Sequence, residues 1–210
     1  HGDQIKDLAT RATQLPAQAE GPQGKLATKA VMADYIQSMK DRAGDYLKDI
    51  DPNLTFVWDC GNGAAGAVVP DLVASLPGTH VVMYPELDGT FPHHHPDPTV
   101  EENLIAMKET VKQRKAAVGL AFDGDGDRLG IVDEHARFVP MDDLIALFAA
   151  DVLSIQQGAS IIADVKCGPQ LFAEISRLGG RPVLWRTGHS PIKSKMAEIN
   201  APFAGEYSGH

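Results

Sequence analysis

Gly119-Leu120-Ala121-Phe122-Asp123-Gly124-Asp125-Gly126-Asp127-Arg128-Leu129-Gly130-Ile131-Val132-Asp133 is the stretch on which the reading of this chain turns. An apolar run of strand length, residues 117–122, enters three aspartates at alternate positions, and a short apolar ribbon, residues 129–133, leads out. Carboxylates at every second position of an extended loop lean to one side, and the intervening glycines let the backbone curl until three oxygens meet around one cation. Left empty, three such groups would repel one another. Oxygen-only ligands suit Mg²⁺, Mn²⁺ or Ca²⁺ rather than zinc. A guanidinium next to them, Arg128, can take the remaining charge of a transferring phosphoryl group. An EF-hand would also place Glu134 at its twelfth position, but it needs glycine where Arg128 stands and helices where this chain has strand patterns. A haloacid-dehalogenase-type phosphatase, with two alternating aspartates after a strand, usually carries Thr or Val where Asp127 sits; it remains an alternative, as does a non-catalytic metal-binding fragment.

Outward from this loop, strands and helices alternate. Toward the N-terminus the patterns predict a helix over residues 3–15 through Ile5, Leu8 and Ala12, and a linker marked by Pro16, Gly21, Pro22 and Gly24. A helix over 29–47, a strand over 54–58, a helix over 64–76, a strand over 79–84 and a helix over 100–114 follow. Beyond the loop come a helix over 141–155, a strand over 160–165, a helix over 169–178, a strand over 181–185 and a helix over 190–199. This is an α/β pattern of two consecutive mixed α/β sheet layers with largely parallel strands, the second layer truncated, and a boundary near Arg137. No heptad, low-complexity tract or internal sequence repeat is evident.

With 210 residues, 43% hydrophobic and 22% charged, the chain can bury a core. Its formal net charge of -9 argues against broad nucleic-acid binding, although a local basic pocket for an anionic substrate is compatible with it. The longest clean apolar run, residues 144–150, is far short of the roughly 20 residues that cross a bilayer. No membrane association and a cytoplasmic location are expected. Cys60 and Cys167 lie far apart and form neither a metal-ligand spacing nor a disulfide framework.

Other motifs pull in different directions. Gly61-Asn62-Gly63-Ala64-Ala65-Gly66 matches G-x-G-x-x-G after a strand, with Glu86 at the distance of a dinucleotide fingerprint, but Asp59 and Cys60 separate the strand from the first glycine. Tight strand-to-helix turning is the better reading. His93-His94-His95 could suggest a metal cluster, yet adjacent residues of an extended loop point to opposite sides, and a structured surface loop is preferred. In the second half, Lys166, the Thr187-Gly188-His189-Ser190 segment, and Glu206 with Ser208 follow apolar runs, which is where open α/β sheets bind ligands.

Together these segments resemble the α-D-phosphohexomutase superfamily, in its bacterial phosphomannomutase/phosphoglucomutase branch. The matching stretches are DCGNGAAG from Asp59, DGTFPHHHPDPTVEENL from Asp88, GLAFDGDGDRLGIVD from Gly119, ADVKC from Ala163, TGHSPIKSKM from Thr187 and GEYSGH from Gly205. The resemblance implies residues 1–35 as the end of a first domain with linker, 36–137 as a second domain with the metal loop, and 138–210 as part of a third with the sugar-reading loop. The phosphoserine-bearing part of the first domain and a phosphate-gripping fourth domain are then expected to lie outside this chain. It further implies Mg²⁺ on Asp123, Asp125 and Asp127, with Arg128 and His210 in catalytic roles. Lys166, His189, Glu206, Tyr207, Ser208, Gly209 and His210 would meet a hexose phosphate or hexose 1,6-bisphosphate. Tyr207 stands where the family often has Met. The implied parent reaction passes phosphate between the enzyme and a hexose 1- or 6-phosphate by way of the bisphosphate, while this chain alone is expected to be inactive.

Overall fold

The computed structural model describes residues 2–15 and 24–210, and the chain divides into residues 1–31 and residues 32–210. In the first unit, α1 (Gly2–Gln14) forms where the spacing predicts it. An Asp7–Arg11 ion pair one turn apart, at 2.9 Å, supports it. Residues 24–31 have no regular structure, and Pro16, Gly21 and Pro22 of the expected linker lie outside the described residues.

The second unit opens with α2 (Met32–Ala43), which tightens into a 3-10 segment, Gly44–Asp49. Gly44, at φ +48°, ends the α-helix inside the predicted 29–47 span. After β1 (Thr55–Asp59), the helix expected over 64–76 is broken up: a 3-10 turn at Ala64–Ala67 precedes a short α3 (Val69–Val73). Pro70 restarts the helix at its own first turn, and the Ala64 amide already donates to the Gly124 carbonyl at 2.9 Å. Next, β2 (Thr79–Met83) stops one residue early because Tyr84 adopts φ +51°. A 3-10 turn, Glu101–Leu104, leads into α4 (Ile105–Arg114). Then come β3 (Val118–Phe122), β4 (Leu129–Asp133), β5 (Phe138–Val139), α5 (Met141–Ile155), β6 (Ser160–Asp164), α6 (Pro169–Arg177), β7 (Arg181–Trp185), α7 (His189–Ile199) and β8 (Phe203–Gly205). The strands β5 and β8 are too short to show a period, so the sequence patterns do not reveal them.

Two sheets result. The first has the order β2-β1-β3-β4-β5, with β1 parallel to β2 and β3, and with β4 and β5 antiparallel additions, so it is mixed rather than largely parallel. The second is a parallel trio, β7-β6-β8, which repeats the arrangement of β2-β1-β3. Each sheet buries apolar side chains on both faces. On the first, Leu104, Met107 and Val111 of the α4 region pack against Val57 and Val132, while Val69 and Val73 cover Cys60 with Trp58 and Phe122. On the second, Ala149, Leu153, Leu171 and Ile175 cover Ile161, and Ile192 covers Ile162. Each fully buried Leu, Ile or Met contributes on the order of 1.5–3 kcal/mol. This framework makes the strand ends rigid, and every motif singled out in the sequence leaves the C-terminal end of a parallel strand. Among the described residues, no helix is long and apolar enough to cross a membrane.

Candidate metal centre and substrate loops

The loop between β3 and β4 is closed by its own first carboxylate. Asp123, buried to 2% exposure, accepts the amides of Asp127 and Arg128 on Oδ1, both at 3.0 Å, and the Arg128 Nε on Oδ2 at 2.6 Å. Arg128 Nη1 reaches Asp97 Oδ1 at 3.3 Å, so the guanidinium is braced by two carboxylates. Asp97 in turn accepts the Thr99 amide and hydroxyl. Burial pushes the Asp123 carboxyl up, but Arg128 outweighs it through hydrogen bonds and charge, leaving the group below its ordinary range. Asp125 is raised instead, first by the charge of Asp123, then by its hydrogen bond with Asp123 and by the charge of Asp127.

Ligand oxygens from Asp123, Asp125 and Asp127 lie within 4.8 Å of one another. Three donors occupy Asp123, and a carboxylate offers about four lone-pair sites, so one remains for a cation. Asp125 and Asp127 are exposed. The donor set is all oxygen and its mutual repulsion is what a hard divalent cation relieves, so the residues fit Mg²⁺.

The glycine loop after β1 packs against this centre instead of cradling a nucleotide. A side chain at Gly63 would sit 2.7 Å from the Gly124 carbonyl oxygen, and one at Gly66 would overlap the Pro85 backbone. The glycines are therefore needed for close approach of two loops, and the turn behind them is only the four-residue Ala64–Ala67. The three histidines do not converge either. His93 Nδ1 meets Asn62 Oδ1 at 2.7 Å, and His94 Nε2 meets Asp59 Oδ2 at 3.0 Å.

The loop after β8 folds back onto the metal loop. The Leu129 amide donates to the Gly209 carbonyl at 3.1 Å, and Gly209, at φ +98°, has no room for a side chain beside the Leu129 backbone. His210 Nε2 lies 3.2 Å from Asp127 Oδ2, and its Nδ1 is 2.9 Å from the Ser208 hydroxyl. His189, the first residue of α7, stacks on His210 at 5.8 Å between ring centroids. Glu206 is buried; its Oε2 accepts the Gly188 amide at 2.9 Å, and its Oε1 is buried with no partner. Glu206, His189, His210 and Lys193 line a recess of about 90 Å³. An unpartnered acceptor beside imidazoles and a lysine suits a ligand that brings hydroxyls and negative charge. Lys166 is exposed in the turn after β6 and Tyr207 is 49% exposed; neither lines this recess.

Lys193, Asp97 and Asp164 escaped the sequence reading. Lys193 had a usable signal, four residues after His189 on one helix face. Asp97 and Asp164 act through partners distant in sequence, which no spacing shows.

Comparison with known proteins identifies the family and the fold. Residues 33–136 match the family described as phosphoglucomutase/phosphomannomutase, alpha/beta/alpha domain II, and residues 140–210 match its domain III. A Pseudomonas aeruginosa phosphomannomutase/phosphoglucomutase is 53% identical over 157 residues, covering 75% of this chain and 34% of that protein. A Neisseria gonorrhoeae phosphoglucomutase is 37% identical over 209 residues, covering 100% of this chain and 44% of that protein. A crystal structure of a phosphoglucomutase/phosphomannomutase family protein from Burkholderia thailandensis superposes with a TM-score of 0.86 at 40% identity, covering 100% of this chain and 44% of that one. The chain thus spans well under half the length of these relatives. The phosphatase alternative finds no support in these likenesses. With family matches over residues 33–136 and 140–210, the chain belongs to the phosphoglucomutase/phosphomannomutase family.

Proposed function

We propose that the full-length protein interconverts hexose 1-phosphate and hexose 6-phosphate, of mannose, glucose or both, through a phosphoserine and a bound 1,6-bisphosphate, and that this chain supplies its metal centre and sugar-reading loops. The observation that carries the reading is the junction of the two loops, where His210 of the one touches Asp127 of the other. A ligand in the recess beside Glu206 is thereby held next to the carboxylate cluster.

Asp123, Asp125 and Asp127 would hold Mg²⁺, which when bound would offset negative charge on a phosphoryl group. Arg128, fixed between Asp123 and Asp97, presents a guanidinium that does not have to reorganise as charge develops. Glu206 Oε1 accepts a sugar hydroxyl, and Ser208 offers a second contact. His189 and Lys193, which line the recess, supply positive or donor groups for the phosphate, and Lys166 adds one from the turn after β6, outside the recess. His210, with one nitrogen toward Asp127 and the other toward Ser208, stands ready to exchange a proton with the accepting hydroxyl. The contribution is positioning plus electrostatic neutralisation.

The test is a coupled assay of the full-length protein, following glucose 6-phosphate formed from glucose 1-phosphate and the corresponding mannose pair. Turnover that needs Mg²⁺ and a catalytic amount of hexose 1,6-bisphosphate supports the proposal. Release of inorganic phosphate in place of isomerisation overturns it.

A further inference from the structure

Asp164 is the last residue of β6, the middle strand of the second sheet, and is fully buried. Its Oδ2 accepts the Thr187 hydroxyl at 2.7 Å; its Oδ1 accepts the Tyr207 amide and the Cys167 thiol, both at 3.2 Å. The three donors belong to three different loops, those after β6, β7 and β8. Each loop carries groups assigned above to the phosphosugar. Lys166 immediately precedes Cys167, His189 is two residues past Thr187, and Glu206 and Ser208 flank Tyr207.

All three partners are neutral. A buried carboxylate without a cation is a poor source of net stability, because desolvation costs about as much as the bonds return. Its two oxygens nonetheless take donors from all three loops and so hold the loops in register. The first sheet uses the same device. Asp59 ends β1, the middle strand of β2-β1-β3, is fully buried, and accepts the Gly61 amide at 2.9 Å and His94 Nε2 at 3.0 Å from two separate loops.

We infer that Asp164 is the positioning residue of the sugar-reading half-site, setting the loops that carry Lys166, His189, Glu206 and Ser208 relative to one another; the inference rests on the phosphosugar reading of those loops. It touches no substrate itself. Its loss therefore weakens recognition more than the chemical step.

The experiment compares the full-length protein with Asp164→Asn, which keeps the volume but removes the charge and one of the two acceptor oxygens, and with Thr187→Val, which removes one donor only. Hexose 1-phosphate kinetics are expected to show KM raised roughly tenfold or more in Asp164→Asn with kcat changed much less, and a smaller KM increase in Thr187→Val. Amide hydrogen exchange is expected to quicken in the three loops while β3, the metal loop and β4 are unchanged. An unchanged KM, or exchange quickened equally in both sheets, overturns the inference. If the wild-type protein does not turn over hexose phosphates, the proposed function fails, and the exchange pattern alone then decides the role of Asp164: local loosening supports it and none overturns it. Should Asp164→Asn fail to fold, Thr187→Val decides in the same way.

Discussion

His210 Nε2 stands 3.2 Å from Asp127 Oδ2, so the loop after β8 shares a carboxylate with the aspartate loop between β3 and β4. Binding at one loop is therefore expected to be felt at the other. Mg²⁺ is expected to bind the 210-residue chain weakly, because three carboxylates leave much of the ion's shell to water. The same titration is expected to shift the His210 ring resonances in NMR spectra. Asp125→Ala should abolish both effects. Tight, stoichiometric binding by calorimetry that survives Asp125→Ala would contradict the assignment.

Gly63 tests the closeness of the two loops on the first sheet. A methyl group there would lie 2.7 Å from the Gly124 carbonyl oxygen and 3.0 Å from the Asp123 carbonyl oxygen, both backbone atoms that cannot swing aside. Gly63→Ala is expected to destabilise the fold by about 1–3 kcal/mol, as overpacking does. It should also weaken Mg²⁺ binding, since the loop that must move is the metal loop. Thermal melts and calorimetry check the two parts separately, and a variant with wild-type melting and wild-type metal affinity would show that the contact is not tight.

The His94–Asp59 contact makes stability depend on pH in a stated direction. His94 Nε2 faces both oxygens of Asp59, and Nδ1 faces the His95 carbonyl at 3.0 Å. Only the doubly protonated ring donates to both. The hydrogen bond to Asp59 raises the His94 pKa above its ordinary value, burial opposes it, and the His95 carbonyl and the Asp59 charge add to the increase. A raised folded pKa means the contribution is complete below the unfolded value of about 6.5 and is lost as pH rises through the folded value. Melting temperature is therefore expected to fall over that upper range in the wild type, and to fall less steeply in His94→Asn. Parallel pH profiles for the two proteins would refute this.

The clustering of the aspartate loop was legible because everything it needs is local: three aspartates at alternate positions, glycines between them and an arginine at the end. The strand order of the sheets was not, and neither were the braces. Arg128 finds Asp97 across 31 residues, and Asp164 finds Tyr207 across 43. Such pairs obey no helical or strand period, so only the folded chain shows them. The helix expected over 64–76 failed for a different reason. Its apolar spacing was real, but the Ala64 amide is taken by Gly124 and Pro70 restarts the helix, so tertiary contact and ring geometry overrode periodicity. The glycine fingerprint was read as a turn, and the crowding around Gly63 and Gly66 supplies the reason the turn has glycines.

The last expectation concerns which parts of the chemistry this chain can perform. The 210-residue chain alone is expected to show no mutase activity. A phosphoryl carrier must offer a nucleophilic oxygen beside the metal loop, and the groups near it are committed elsewhere. Asp123, Asp125 and Asp127 are taken up by the cation in this reading, and the Ser208 hydroxyl is engaged with His210 rather than with a carboxylate of the cluster. Without a carrier a covalent step is missing, and added affinity cannot replace it. In the full-length protein, Asp127→Ala or Arg128→Ala should lower kcat by on the order of a hundredfold or more, the scale seen when one preorganised charge-stabilising donor is removed, with a smaller effect on KM. Arg128→Lys should recover little of this, because a point charge cannot reach Asp123 and Asp97 with a planar fork. Coupled turnover of glucose 1-phosphate decides the matter: robust activity of the isolated chain, or near-normal activity of Asp127→Ala in the full-length protein, would remove the aspartate loop from the phosphoryl-transfer step.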